Sequence, residues 1–572
     1  MKGCAYYSIQ RVCHCSIGFR IVNMARAVFT AILLWICLIQ YVQAGKILMS
    51  AGVDTTHYLF SSKIGRELVR RGNDVTFLLS SSYSHRLNSS DTEWFKFQVY
   101  NSPYTYGEIR NMTHRFGLEA LNGTYQKTTD YSKTLMRLIF GGKSEQTEEE
   151  RQEQLKPTKP MSKYLAHECN ALLGDDETMY RLRGLNFDLM TFDIINPCMA
   201  LVAQKLSLRY AIITATPIVN GFHDRWFDVP SNPAYIPMAM SPSGDSMAFM
   251  ERFRNTVTWF VMSAVVDHFT FQPYEELRIK YNIRPDLTMP DIIRAAEVWI
   301  SNTHFAMEYA RPIMPNTIMV GGLSADESKP LDQDLEEFFE GSGDAGVVIF
   351  SLGSVVEVMS ESQTNIVARA MARLPQRVLW RIHGQPPKSL GSNTKVVKWL
   401  PQNDVLGHPK TKLLIYHGGI NGMIETMYHG VPVVAIPLFG EHSDCATRLK
   451  KRGMTEIISM ADFTEDMIYE TAVRILSNDS YAANAKLMSA IMKHNAAPQL
   501  HVAAHWVEHV MLHGGDYFRS KAGQLTTVQY YLLDVIAVAA SIIIVVVLTL
   551  GCACRLLCRR CTNSAQVKMK TF

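Results

Sequence analysis

Between Lys412 and Pro437 the chain runs through an apolar β-prone segment, a glycine turn, a helix and a second buried-type strand in direct succession, an order few folds accept. Lys412 to Tyr416 reads as a strand and His417-Gly418-Gly419 as a turn; Ile420 to His429 reads as a helix stopped by Gly430, and Pro432 to Pro437 as the second strand. Together they make a βαβ unit. Its helix N-terminus turns free N–H groups and the positive end of the dipole toward the glycine turn, where a diphosphate fits.

The same alternation runs through both halves. Gly45 to Ser50 predicts a strand, Ser61 to Arg71 a helix stopped by Gly72, and Asp74 to Ser80 the next strand. His57 lies in the segment Asp54 to Tyr58 after the first strand, and Asp193 ends the predicted strand Phe187 to Phe192. Open α/β sheets place ligands at such strand ends. Between Tyr83 and Asn186 the pattern weakens, and Asn88, Asn111 and Asn122 begin N-x-S/T triplets, as Asn478 does farther on, which predicts exposed loops. The Pro-broken run Pro285 to Pro290 predicts a domain boundary, with Val298 to Asn302 and Ile318 to Gly322 leading into the second half. Strand Val347 to Leu352, turn Gly353-Ser354, helix Ser362 to Leu374 and strands Arg377 to Ile382 and Lys395 to Leu400 then lead to the opening unit. Two doubly wound parallel sheets are expected.

A chain of 572 residues with 47% hydrophobic content can bury two large cores. Four basic residues in the first 44 positions and five after position 554, with no acids in either segment, exceed the whole chain's +4, so the body between carries −5. That argues against a nucleic-acid partner. Of eleven cysteines only Cys169, Cys198 and Cys445 fall in the body, too few for a disulfide framework and without metal-ligand spacing.

The ends address the chain to a membrane. Residues 1–44, with scattered arginines, an apolar core from Ala27 to Val42 and a small-residue site before Gly45, predict a cleavable secretory leader, starting at Met1 or Met24. Val535 to Cys554 is an uncharged apolar run long enough to span a bilayer, within a predicted membrane segment 526–554. The basic tail 555–572 predicts a cytosolic end and a body on the other side. Lys568 and Lys570 in that tail resemble a di-lysine retrieval signal of the endoplasmic reticulum, which makes a single-pass type I protein of that membrane the expectation. His501, His505, His509 and His513 recur every fourth residue, but each step of four drifts about 40° around a helix. Only neighbours could share an ion, so a packed or polar helix face is expected there, and a metal-dependent hydrolase ranks last among the functions considered.

The motifs W-x-P-Q-N-D-x-L-G-H-P-K-T from Trp399, H-G-G-x-N-G from His417 and Y-H-G-x-P from Tyr428 stand beside S-L-G-S at Ser351 and V-G-G-L at Val320. With the leader and the span they make the chain from Gly45 to the tail resemble the membrane-bound UDP-glycosyltransferases, which include the UDP-glucuronosyltransferases. The resemblance implies two Rossmann-like domains facing a cleft, the GT-B arrangement, with a C-terminal transmembrane helix. Residues 45–288 would bind the acceptor, 289–480 the UDP-sugar, and 481–525 would pack back as helices before the membrane.

By the same resemblance Trp399 would stack on uracil and Gln402 bond its edge, while Glu425 would take the ribose hydroxyls. His417, Asn421, Ser354 and the backbone of Gly418, Gly419 and Gly422 would surround the diphosphate. His57 matches the family's catalytic base and Asp193 its orienting carboxylate. Glu441 and His442 stand where the family has Asp-Gln facing the sugar hydroxyls, a departure that leaves glucuronic acid, glucose and galactose all open.

The function implied is inverting transfer of a hexose from a UDP-sugar, a co-substrate, to a hydroxyl of a small lipophilic acceptor, with no metal and no other cofactor. The alternative is a catalytically silent member that binds nucleotide or lipophilic ligand and acts as a homo- or hetero-oligomer with active relatives; the presence of both His57 and Asp193 weighs against it.

Overall fold

A computed structural model describes residues 44–51, 55–121, 161–239, 241, 243–353, 356, 359–494 and 498–569. The leader, Asn122, Ser354 and the last residues of the tail, Lys570 among them, lie outside the described residues. Two wholly parallel sheets organise the chain. The first has the order β3-β2-β1-β4-β5-β6-β7, with β1 Lys46–Ser50, β2 Asp74–Ser80, β3 Lys96–Tyr100, β4 Leu189–Phe192, β5 Arg209–Thr214, β6 Trp299–Ser301 and β7 Thr317–Met319. The second has the order β10-β9-β8-β11-β12-β13, with β8 Val347–Ser351, β9 Arg377–Arg381, β10 Thr394–Val397, β11 Thr411–Tyr416, β12 Val433–Ala435 and β13 Thr455–Ile457.

The helices used below are α1 Thr55–Arg70, α2 Tyr106–Leu121, α3 Phe249–Lys280, α4 Gln402–Gly407, α5 Ile420–His429, α6 His442–Lys451, α7 Gln499–His513 and α8 Leu533–Met569. Strand alternation divides each core in two. Ile47 and Met49 face α1 and the buried side of α7 (Ala503, Val507, Val510), while Leu48 faces the opposite layer. In the second sheet Val347 and Ile349 face one layer and Val348 and Phe350 the other. Strands buried on both faces read as the continuous apolar runs seen in the sequence.

Three expectations need correction. The strands β6 and β7 complete the first sheet, so the change of sheet lies between Met319 and Val347 and not at the prolines 285–290. These strands are three residues long, and their pairing, not their sequence, decides which sheet they join. Cys169 and Cys198 form a disulfide, joining the helix Met161–Gly174 to the helix Cys198–Lys205 within the first core, although no framework was expected from three body cysteines. The stretch from Tyr83 to Asn186, expected as exposed loops, carries among its described residues β3, α2 and the helices Met161–Gly174 and Asp176–Gly184.

Among the described residues one helix, Leu533–Arg559, is long and apolar enough to cross a membrane; it spans 27 residues and none of it is buried against the body. The histidine row on α7 is taken up locally. Nε2 of His501 lies 3.4 Å from Glu67, and Nε2 of His509 bonds the Tyr517 hydroxyl. Asn88, Asn111 and Asn478 are exposed, Asn478 capping a helix through its side chain.

Candidate active site

Both sheets reverse their strand order at one point, between β1 and β4 in the first and between β8 and β11 in the second. Crevices open at the carboxyl ends of strands there. At the first of these points, Ser50 of β1 pairs in register with Phe192 of β4, which brings the residues following both strands together. His57 is the third residue of α1, so it belongs to the helix's first turn and not to the loop expected from the sequence. Ser61 and Ser62, small and buried, let α1 lie close to the sheet.

Nδ1 of His57 lies 2.5 Å from Oδ2 of Asp193, and both side chains are buried. The aspartate is itself held: Oδ1 accepts the Ile195 N–H at 3.0 Å and Oδ2 the Ala215 N–H at 3.2 Å. A carboxylate against Nδ1 selects the tautomer with its proton there and its lone pair on Nε2, the form a general base needs. His223, unnoticed in the sequence, lies near the same aspartate. Burial pushes its pKa down to about 3 against the pull of Asp193, so it stays neutral, and its Nδ1 accepts the Val219 N–H. Its neighbours in sequence, Phe222 and Asp224, mark nothing; only β4 beside β5 brings it to Asp193.

At the second point, β11 ends at Tyr416 and α5 begins at Ile420 after the two glycines. Gly418 has φ +89°, and a Cβ there would meet the carbonyl oxygen of His442 at 2.8 Å. Gly419, at the cap position of α5, offers no side chain to the first-turn N–H groups, which leaves them for an anion. Asn421 sits half-buried on that turn, and Gly422 lies under the Tyr416 ring, where a Cβ would come within 2.5 Å.

The His417 ring is buried, and burial pushes its pKa down to about 4. Its Nδ1 has no protein partner. Arg381, at the end of β9, bonds the Gly353 carbonyl and adds to the downward push on His417, placing a cation near the turn that the sequence reading overlooked. An unpartnered imidazole nitrogen, uncapped helix N–H groups and a nearby guanidinium fit a diphosphate.

Nε2 of Gln402, on the first turn of α4, donates to Oε2 of Glu425 at 2.5 Å. Burial raises the Glu425 carboxyl to about 7, opposed by Gln402 and by Lys63, which reaches toward it from α1 of the other domain. Lys63 also donates to the Leu323 carbonyl at 2.7 Å and to Asp326 at 2.5 Å. The Trp399 ring is 74% exposed, an open aromatic face beside this pair in sequence.

Glu441 and His442 separate. Glu441 is half-buried at the cap position of α6, after Gly440 with φ +57°. The His442 ring is buried instead of open to a sugar. It meets His417 edge-on with centroids 4.6 Å apart and Phe439 at 4.3 Å. Burial and His417 hold its pKa well below the ordinary value, so a neutral ring underlies the glycine turn. Phe439 in turn meets Phe116 of α2, from the other domain, at 4.7 Å.

A family model for UDP-glucoronosyl and UDP-glucosyl transferase matches residues 45–568. UDP-glucuronosyltransferase 2B1 of Rattus norvegicus is 32% identical over 94% of this chain and 99% of its own length. The 2-hydroxyacylsphingosine 1-beta-galactosyltransferase of the same species is 33% identical over 74% of this chain and 76% of its own. Among solved structures, the kitacinnamycin glycotransferase aligns with a TM-score of 0.54 at 16% identity, over 82% of this chain and 98% of its own. The calicheamicin glycosyltransferase CalG4 aligns at 0.51 and 16% identity, over 82% and 99%. These two likenesses show the GT-B fold.

Proposed function

Because the chain belongs to the UDP-glucoronosyl and UDP-glucosyl transferase family, and is a UDP-sugar-dependent glycosyltransferase, we propose that His57 is its general base and Asp193 the residue that orients it. The observation that carries this reading is the 2.5 Å contact between His57 Nδ1 and Asp193 Oδ2. Nε2 of His57 takes the proton from an acceptor hydroxyl as that oxygen attacks the anomeric carbon. The bond to UDP breaks with its electron pair on the β-phosphate oxygen, and the configuration inverts. The developing charge meets the α5 N-terminus, the His417 ring and Arg381, in the manner of a preorganised anion site. Trp399, Gln402 and Glu425 hold the uridine, and transfer proceeds without a metal ion.

The acceptor is a small lipophilic alcohol or phenol, or a lipid hydroxyl. Glucuronate, glucose and galactose are the donors to compare, since relatives named for glucuronosyl and galactosyl transfer match at similar identity. Leu533–Arg559 anchors the chain in the endoplasmic reticulum membrane with the body lumenal. The basic tail and the Cys169–Cys198 disulfide, which suits an oxidising compartment, support that side.

The test is full-length protein in membranes, offered UDP-glucuronate, UDP-glucose, UDP-galactose and UDP-N-acetylglucosamine with a panel of phenols, steroids and lipid alcohols. Product with one donor, persisting in the presence of a chelator, is expected. No product with any donor, while UDP still binds, would leave the silent-partner reading in its place.

A further inference from the structure

The first half of α3 carries an apolar face that none of the described residues covers. Phe249, Met250, Phe253 and Phe260 are 69%, 65%, 57% and 53% exposed. At 3.6 residues per turn, Phe249, Phe253 and Phe260 fall within about 40° of one another and form one stripe. The helix buries different residues against the body, among them Asn255, Val266, Phe271 and Tyr274. Large side chains gathered on one exposed face mark a contact surface, in contrast to scattered exposed residues, which need no explanation.

Where this stripe lies identifies what covers it. Trp259, next to Phe260, meets the Tyr531 ring edge-on with centroids 6.5 Å apart, and Tyr531 stands two residues before the apolar helix begins at Leu533. Phe260 and Trp259 share the wall of a cavity of about 550 Å³ with Leu525, Tyr530 and Tyr531. The stripe is therefore at the level where the chain enters the bilayer, beside aromatic residues of the kind that gather at a lipid–water boundary. Arg252 and Arg254 are exposed on the same turns, so the stretch has the aromatic and basic make-up of a helix lying in a membrane surface.

We propose that the segment from Phe249 to Phe260 is a second membrane contact, with Phe249, Phe253 and Phe260 seated among the headgroups and upper acyl chains of the leaflet that Leu533–Arg559 enters. This rests on that helix crossing a bilayer and is independent of the donor and acceptor chemistry. The span then holds the chain in the membrane, and α3 fixes the tilt of the first domain against it.

Full-length protein in phosphatidylcholine nanodiscs containing a phosphatidylcholine with a diazirine near its glycerol backbone tests this. After irradiation and peptide mapping, lipid adducts are expected on the segment Phe249 to Phe260 as well as on the span. The triple variant Phe249→Ser, Phe253→Ser, Phe260→Ser should lose the first set and keep the second. Adducts on the span alone, in the unaltered protein, would overturn the proposal, whether the stripe then faces water or a partner protein. Absence of adducts on the span would instead remove the premise. Because the decisive comparison is made within the unaltered chain, it stands even if the triple variant fails to fold.

Discussion

Nδ1 of His57 and Oδ2 of Asp193 lie 2.5 Å apart although 136 residues separate them in the chain. The pairing of β1 with β4 creates this closeness, and the backbone N–H groups of Ile195 and Ala215 fix the carboxylate that the imidazole meets. An imidazole held so firmly has its tautomer set by the carboxylate.

Replacing His57 by Ala is expected to lower kcat by about 10²–10⁴-fold, the range that positioned bases contribute, while leaving UDP affinity unchanged. Asp193→Asn should also lower kcat with little effect on the KM for donor, because it disturbs the tautomer and not the nucleotide site. Steady-state kinetics with UDP titration calorimetry reads both. Full turnover in the histidine variant would dismiss the base assignment.

Glu425 supplies a pH dependence of defined sign. Its carboxyl is pushed up to about 7 by burial, so in the empty site it is largely protonated below that pH. Ribose hydroxyls donate to the ionised form and favour it. Uridine, which has the ribose without the phosphates, should therefore bind more tightly as pH rises from about 6 to about 8, with release of a proton. His417, at about 4, is neutral across that window and adds nothing in the empty site. An NMR titration of uridine against the protein and against Glu425→Gln checks this. The variant should bind more weakly and without the pH slope, and a slope that survives would assign the dependence to another group.

Trp399 exposes most of its ring while Leu400 beside it is buried, so the backbone is anchored and the aromatic face is open. Trp399→Ala should weaken UDP binding by about 1–3 kcal/mol, the usual loss when a base loses its stacking partner, and Trp399→Phe by less. Saturating turnover should hardly change, since uracil is stacked equally in ground and transition states. Equal loss of kcat and affinity would place the ring in the reacting geometry instead.

What could be read from the sequence follows the range of the interactions. The β11-turn-α5 unit is local: its glycines, helix stop and apolar strands lie within 26 residues, and its elements fall where periodicity puts them. His57 and Asp193 were visible as residues following predicted strands, but their contact depends on β1 lying next to β4, which no local pattern states. The same limit explains what was missed. The sheet to which β6 and β7 belong, the partner of Cys169, the approach of His223 to Asp193 and that of Arg381 to Gly353 all arise from pairing across the chain. The burial of His442 had a weak local signal, since Gly440 permits the turn that sends the next side chains in different directions, but the ring's neighbour His417 comes from a different strand end.

The two domains are locked by a buried ion pair whose loss should be costly. Nη2 of Arg448, on α6, donates to Glu308 Oε1 at 3.1 Å and to the Ile218 carbonyl at 2.9 Å, and both charged side chains are almost wholly excluded from solvent. Burial disfavours the guanidinium's charge, but Glu308 and Asp444 more than offset it, and its pKa lies above the ordinary value. Glu308→Gln removes the carboxylate and leaves a buried cation short of its counter-charge, which should destabilise the fold by about 3–5 kcal/mol. Replacing both partners together, Arg448→Met with Glu308→Leu, should cost less than the single change, the remaining cost lying in buried Asp444, which then loses the cation it faces. Unfolding transitions of the full-length variants in nanodiscs give the comparison. A single variant costing under about 1 kcal/mol, as an exposed pair would, would mean that water reaches Arg448 in solution and that this pair does not lock the domains.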